Sequence, residues 1–84
     1  MSQSPGGPFI LYGRAWCHLC EDMRAELEPI AEQFGRAILW IDIDEDPALE
    51  ARYDERVPVL MLAGVELCQY RLDANAVRAA LDQG

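Results

Sequence analysis

The stretch FILYGRAWCHLC, Phe9 to Cys20, decides how this chain folds. Its first four residues form a continuous apolar run, the pattern of a strand covered on both faces. Gly13 breaks the run. From His18 the periodicity turns helical: Leu19, Met23, Leu27, Ile30 and Phe34 recur at spacings of four, four, three and four, one stripe down a helix. Glu21, Asp22, Glu26, Glu28 and Glu32 fall largely off that stripe. Gly35 stands where a helix C′ residue belongs, and Pro29 predicts a kink inside the helix. The pair Cys17 and Cys20 therefore sits where a strand hands over to a helix.

Downstream, Ala37–Ile43 (AILWIDI) is again nearly continuous in apolar character and reads as a second strand. Asp46-Pro47 has the form of an N-cap followed by proline at the first helical position, so a short helix is expected to about Tyr53. Pro58–Ala63 reads as a third strand, Ala63-Gly64 as a tight turn, and Val65–Arg71 as a fourth strand. Asp73 caps a last helix with Val77, Ala80 and Leu81 inward. The order is β-α-β-α-β-β-α. Strand–helix–strand demands a parallel pair with a right-handed crossover, whereas the later hairpin is antiparallel. One four-stranded mixed sheet flanked by helices satisfies both.

The 84 residues leave room for one domain. A chain of this size buries roughly 60–70% of its unfolded surface, and an apolar share of 51% supplies an ordinary core. Residues 1–7 are rich in Gly and Pro and are expected to form a flexible arm before a domain spanning 8–84. That arm has neither the basic nor the apolar region of a leader peptide. No apolar run approaches the ~20 residues of a membrane span. A cytoplasmic, reducing setting is expected, and there a CxxC reads as catalytic or metal-binding. The net charge of −8, with every cation an Arg, disfavours nucleic acid and anionic membrane as partners.

The chemistry follows from the junction. Unpaired N–H groups and the positive dipole end of the helix face Cys17 and stabilise its thiolate, which makes a nucleophile near neutral pH. Cys20, one turn on, is placed to resolve a mixed disulfide. A zinc site needs two further ligands, and only His18 and Cys68 remain in cysteine and histidine. A metal or iron–sulfur carrier working with a second chain or glutathione stays open, as does a binding module whose CxxC is idle.

LYGRAWCHLC, WIDIDEDPALEARY and RVPVLMLAG together resemble the glutaredoxin-like family of small thioredoxin-fold proteins, along most of the chain. The resemblance is to the branch with a Cys-x-Leu-Cys motif. It implies a thioredoxin-like α/β fold and a cis bond before Pro58, with Val57 facing the cysteines and its backbone open to an extended peptide or glutathione. Arg14 stands where relatives often carry a basic residue, which implies a grip on a glutathione carboxylate or on the Cys17 thiolate. Relatives that bind glutathione usually carry Gly-Gly after the fourth strand, followed by an acidic residue. Cys68-Gln69 is in register here, and Asp73 is the nearest acid. His18 either supports the thiolate as an imidazolium or is an exposed helix residue. Trp16 either contacts a partner or packs locally. Cys68 reads foremost as a small buried hydrophobe.

The expected protein is a cytoplasmic, monomeric thiol–disulfide oxidoreductase. Cys17 attacks and Cys20 resolves, while Arg14, Trp16, His18, Val57 and Pro58 bind substrate. Protein disulfides or glutathionylated thiols are the expected partners. No tightly bound cofactor or metal is called for, and glutathione is a candidate reductant.

Overall fold

A computed structural model describes residues 7–82. Four strands and three helices follow one another as β1 (Phe9–Gly13), α1 (His18–Gln33), β2 (Ile38–Asp42), α2 (Pro47–Tyr53), β3 (Val59–Leu62), β4 (Val65–Gln69) and α3 (Ala74–Leu81). A short 3-10 turn, Ile43–Glu45, links β2 to α2. The sheet order is β2-β1-β3-β4. β1 and β2 are parallel, and β3 is antiparallel to both β1 and β4. This is the α/β arrangement of a mixed sheet flanked by helices that the chain order implies. The expected arm over residues 1–7 lies, apart from Gly7, outside the described residues.

Strand alternation divides the core in two. Phe9 and Leu11 of β1 join Leu60 and Leu62 of β3 under Met23, Leu27 and Ile30 of α1 and Val77 and Leu81 of α3. On the opposite face Ile43, Tyr53 and Val59 form a smaller cluster, with Tyr12, Leu49, Val57 and Met61 packed against it. Tyr12 and Tyr53 stack with ring centroids 4.5 Å apart, the offset geometry that aromatic quadrupoles favour.

The helical stripe differs from the sequence reading at both ends. Cys20 and Ala31 are buried with Met23, Leu27 and Ile30, whereas Leu19 is half-buried and Phe34 is 37% exposed. The reason is the helix end: α1 stops at Gln33, and Phe34 has already left the helical conformation as its C-cap. Gly35 follows at φ +66°, with its N–H on the Glu32 carbonyl and that of Arg36 on Ala31. That is a Schellman closure, which glycine enters without a Cβ clash. α1 runs on through Pro29, which has no N–H to offer the carbonyl of Ala25.

Gly13 does not end β1 but belongs to it, opposite Asp42. The Trp40 ring lies across it, so a Cβ there would sit 2.5 Å from Trp40 Cη2. Between β3 and β4, Leu60 pairs with Cys68 but Met61 pairs with Glu66. Leu67 is thus the extra residue of a β-bulge. β4 stops at Gln69 because Tyr70 turns the chain at φ +69°.

Candidate active site

Parallel pairing of β1 with β2 and antiparallel pairing with β3 bring three chain segments to one edge of the sheet. The loop after β1 carries Arg14 to Cys17, the turn after β2 carries the acidic run Asp42–Asp46, and the approach to β3 carries Val57-Pro58. Cys17 is the N-cap of α1, with extended backbone at φ −105° and ψ 107°. Its Sγ accepts the N–H of Cys20 at 3.1 Å, which satisfies one of the orphan donors of the first helical turn. Cys17 and Cys20 are joined as a disulfide across a Cα separation of 5.2 Å.

The two sulfurs differ in access. Cys20 is fully buried on the core side of α1, whereas Cys17 is half-buried at the surface. Trp16, just before it, is 95% exposed and held at φ +62°. His18 is exposed in the first helical position. The Val57–Pro58 peptide is cis, Pro58 is fully buried, and its carbonyl accepts the N–H of Tyr70 at 2.9 Å.

Arg14 belongs to a different constellation. Its guanidinium reaches Asp44 at 2.8 Å and both the carboxylate and backbone carbonyl of Asp54 at 3.2 Å, with Glu50 at 3.8 Å. The hydrogen bond from Arg14 holds the Asp44 carboxyl below its ordinary value, and the same contact raises Arg14. Arg14 therefore ties the loop after β1 to the 3-10 turn and the end of α2. The other acids of this edge have local duties: Asp42 accepts the N–H of Asp44, and Asp46 caps α2 through Ala48 at 2.9 Å. Asp73 likewise caps α3 through Ala76 at 3.0 Å.

Cys68 is free and half-buried, packed against the larger core cluster beside Leu67. Burial pushes its thiol above the ordinary value, because the thiolate loses hydration there. Among the described residues, no three His, Cys, Asp or Glu side chains gather as a metal site, and no helix is long and apolar enough to cross a membrane.

Two residues at this edge escaped the sequence reading. Tyr70 is exposed beside Pro58, but a left-handed tyrosine leaves no mark in composition or periodicity. Arg56 fastens the segment before Val57 to β4 through Gln69 Oε1 at 3.0 Å and through Glu66. Its guanidinium also lies over the Tyr53 ring at 5.6 Å, a cation–π distance. A lone Arg before Val-Pro carries no spacing signal of its own.

A four-stranded mixed sheet, with a cysteine pair opening the first helix, defines the thioredoxin-like class of folds. The chain belongs to the glutaredoxin-like family: the Glutaredoxin-like domain (DUF836) matches residues 9–82. Protein Ne2328 from Nitrosomonas europaea has a similar solution structure, with a TM-score of 0.82 and 36% identity over 96% of this chain and 98% of that one. Protein Rv0508 of Mycobacterium tuberculosis is 30% identical over 74 residues, 82% of this chain and 76% of its own. Thioredoxin 1 from Thermosipho africanus, at 20% identity, has the same fold with a TM-score of 0.63 over 90% of this chain and 91% of its own.

Proposed function

We propose that the protein is a glutaredoxin-like thiol–disulfide oxidoreductase, acting in the cytoplasm on protein disulfides or glutathionylated thiols. The observation that carries this reading is the unequal exposure of a bonded cysteine pair at a helix start. Cys17 meets solvent and Cys20 does not.

In the reduced protein, the Cys17 thiolate attacks one sulfur of a substrate disulfide, and the other sulfur leaves as a thiolate and takes up a proton. Cys20, deprotonated, then attacks Cys17 Sγ and releases the remaining substrate thiol. Two electrons pass from the dithiol to the substrate, and the Cys17–Cys20 disulfide results. The Cys20 N–H that meets Cys17 Sγ, and the helix dipole behind it, favour the anionic sulfur over the thiol. Trp16, His18, Val57 and Pro58 border the approach to that sulfur, and the Val57 backbone offers an edge to an extended peptide. Arg14 acts by holding the loop, with its two terminal nitrogens on Asp54 and Asp44. Reducing equivalents come from glutathione or a reductase, with no tightly bound cofactor.

Trapping tests the order of attack. Cys20→Ser accumulates a mixed disulfide with a protein disulfide substrate, and Cys17→Ser accumulates none. A Cys17→Ser variant that traps as well as Cys20→Ser, or a wild type without turnover of any small disulfide, overturns the proposal.

A further inference from the structure

β2 has a single neighbour in the sheet, β1, so its other side is an open edge among the described residues. The direction of each peptide group follows from the register. Phe9 N–H bonds the Ala37 carbonyl, and Phe9, Leu11 and Gly13 lie opposite Ile38, Trp40 and Asp42. In a parallel ladder of this phase, Ala37, Leu39 and Ile41 turn their peptide groups toward β1. Ile38, Trp40 and Asp42 turn theirs outward.

Exposed edges in soluble proteins are usually blunted by lysine, proline, a bulge or a covering segment. Ile38–Ile41 carries none of these residues and is apolar throughout. Leu39, on the sheet face that carries α2, is 48% exposed. The bulky Trp40 ring leans inward over Gly13, away from the open side.

The charge beside this edge changes along the strand, from Arg36 before β2 to Asp42 at its end. The groove between α1 and β2 is lined by Arg24, Glu28, Glu32 and Arg36 together with Ile38. Two cations and two anions cancel there, in a chain of net charge −8. The strand opens beside Arg36 and ends at Asp42, so a second copy running antiparallel sets a cation against an anion at each end of the contact.

From this we propose that β2 is a self-association edge: two copies pair β2 against β2 antiparallel about a two-fold axis at Trp40, forming one eight-stranded sheet. That register sets Trp40 opposite Trp40 of the second copy and Ile38 opposite its Asp42, so every outward N–H and carbonyl of the strand finds a partner. Leu39 then faces Ile41 of the second copy on the sheet face opposite α1, as a close non-hydrogen-bonded pair. Arg36 of each copy approaches the acidic end of β2 in the other. The cysteine pairs stay clear of the contact, one toward each end of the joined sheet. This inference is independent of the redox reading.

Sedimentation equilibrium of the wild-type protein should show mass rising with concentration from one chain to two. Leu39→Lys places a charge in the contact at a site already half in water, and should hold the mass at one chain with an unchanged circular dichroism spectrum. A register test uses mixed chains: Leu39→Cys with Ile41→Cys should give an interchain disulfide mapped to positions 39 and 41, with far less 39–39 or 41–41 product. A one-chain mass at every concentration overturns the proposal. So does a dimer that survives Leu39→Lys, or equal yields of the three cross-links.

Discussion

Replacing Trp16 by Ala separates recognition from folding. The ring is 95% exposed, so it adds almost nothing to the packed core. Its backbone sits at φ +62°, a region that costs an L-residue about 1–2 kcal/mol. Alanine keeps a Cβ and therefore that cost, and the substitution reports on the ring alone. Stability should stay within about 0.5 kcal/mol of wild type, as for other surface changes. The effect on a protein substrate is larger. A Trp side chain offers about 200 Å², and a partner covering half of it gains about 2.5 kcal/mol at 25 cal/mol/Å². Ordering the ring costs about 0.5–1 kcal/mol, which leaves about 1.5–2 kcal/mol, or roughly 10–30-fold in kcat/KM. The assay compares reduction of a folded protein disulfide with reduction of hydroxyethyl disulfide, which is too small to cover the ring. The protein substrate should slow by that factor and the small one by less than about threefold. Equal rates on the protein substrate, or a clear fall in Tm, would refute the reasoning.

Three further outcomes are expected. Gly13→Ala drives a Cβ to 2.5 Å from Trp40 Cη2. Overpacking of about 1–3 kcal/mol, less the roughly 0.4–1 kcal/mol gained from a stiffer unfolded chain, leaves a net loss of about 0.5–2 kcal/mol by urea unfolding. Trp40→Phe shortens the ring and should relieve part of that loss, so additive single and double variants would contradict the contact. Asp44→Asn should lower Tm at pH 7, because Arg14 holds the Asp44 carboxyl below its ordinary 3.8. Stability from a depressed carboxylate is fully present above its unfolded pKa and is lost as pH falls through the folded value. The Tm gap between wild type and variant should therefore close below pH 3.8, and a gap constant with pH would show that the charge is not its source. Cys68 should react with iodoacetamide more slowly than a free thiol at pH 8, its burial having raised it above 9.0. Peptide mass spectrometry of the native and the urea-unfolded protein measures the ratio, and equal rates would place the thiol in solvent.

The element order was legible because each signal is local. Asp46-Pro47 opens α2 and Gly35 closes α1 through short-range backbone chemistry. The cysteine pair at the strand–helix junction was legible for the same reason. What the sequence concealed depends on contacts distant along the chain. Gly13 looks like a strand breaker until Trp40, 27 positions later in the chain, is seen to occupy the space of its missing side chain. Arg14 reads as a free cation beside the cysteines, yet Asp44 and Asp54 claim it once β2 and α2 fold back. Phe34 fits the apolar stripe by spacing but lies past the last helical turn, where the stripe no longer points inward.

The extra residue in β4 is the one position in that hairpin whose loss would preserve the pairing on either side. Leu67 and Cys68 are consecutive and both pack against the larger cluster, while Glu66 faces Arg56 on the other side of the sheet. Removing Leu67 would restore simple alternation and leave Glu66 opposite Met61 on the side of Arg56, at the cost of one apolar side chain packed against the core. In a library of insertions and deletions, loss of Leu67 should survive at reduced stability, as should additions at the Ala63-Gly64 hairpin tip. Homologues one residue shorter here would keep the same polar and apolar order and form an unbroken ladder.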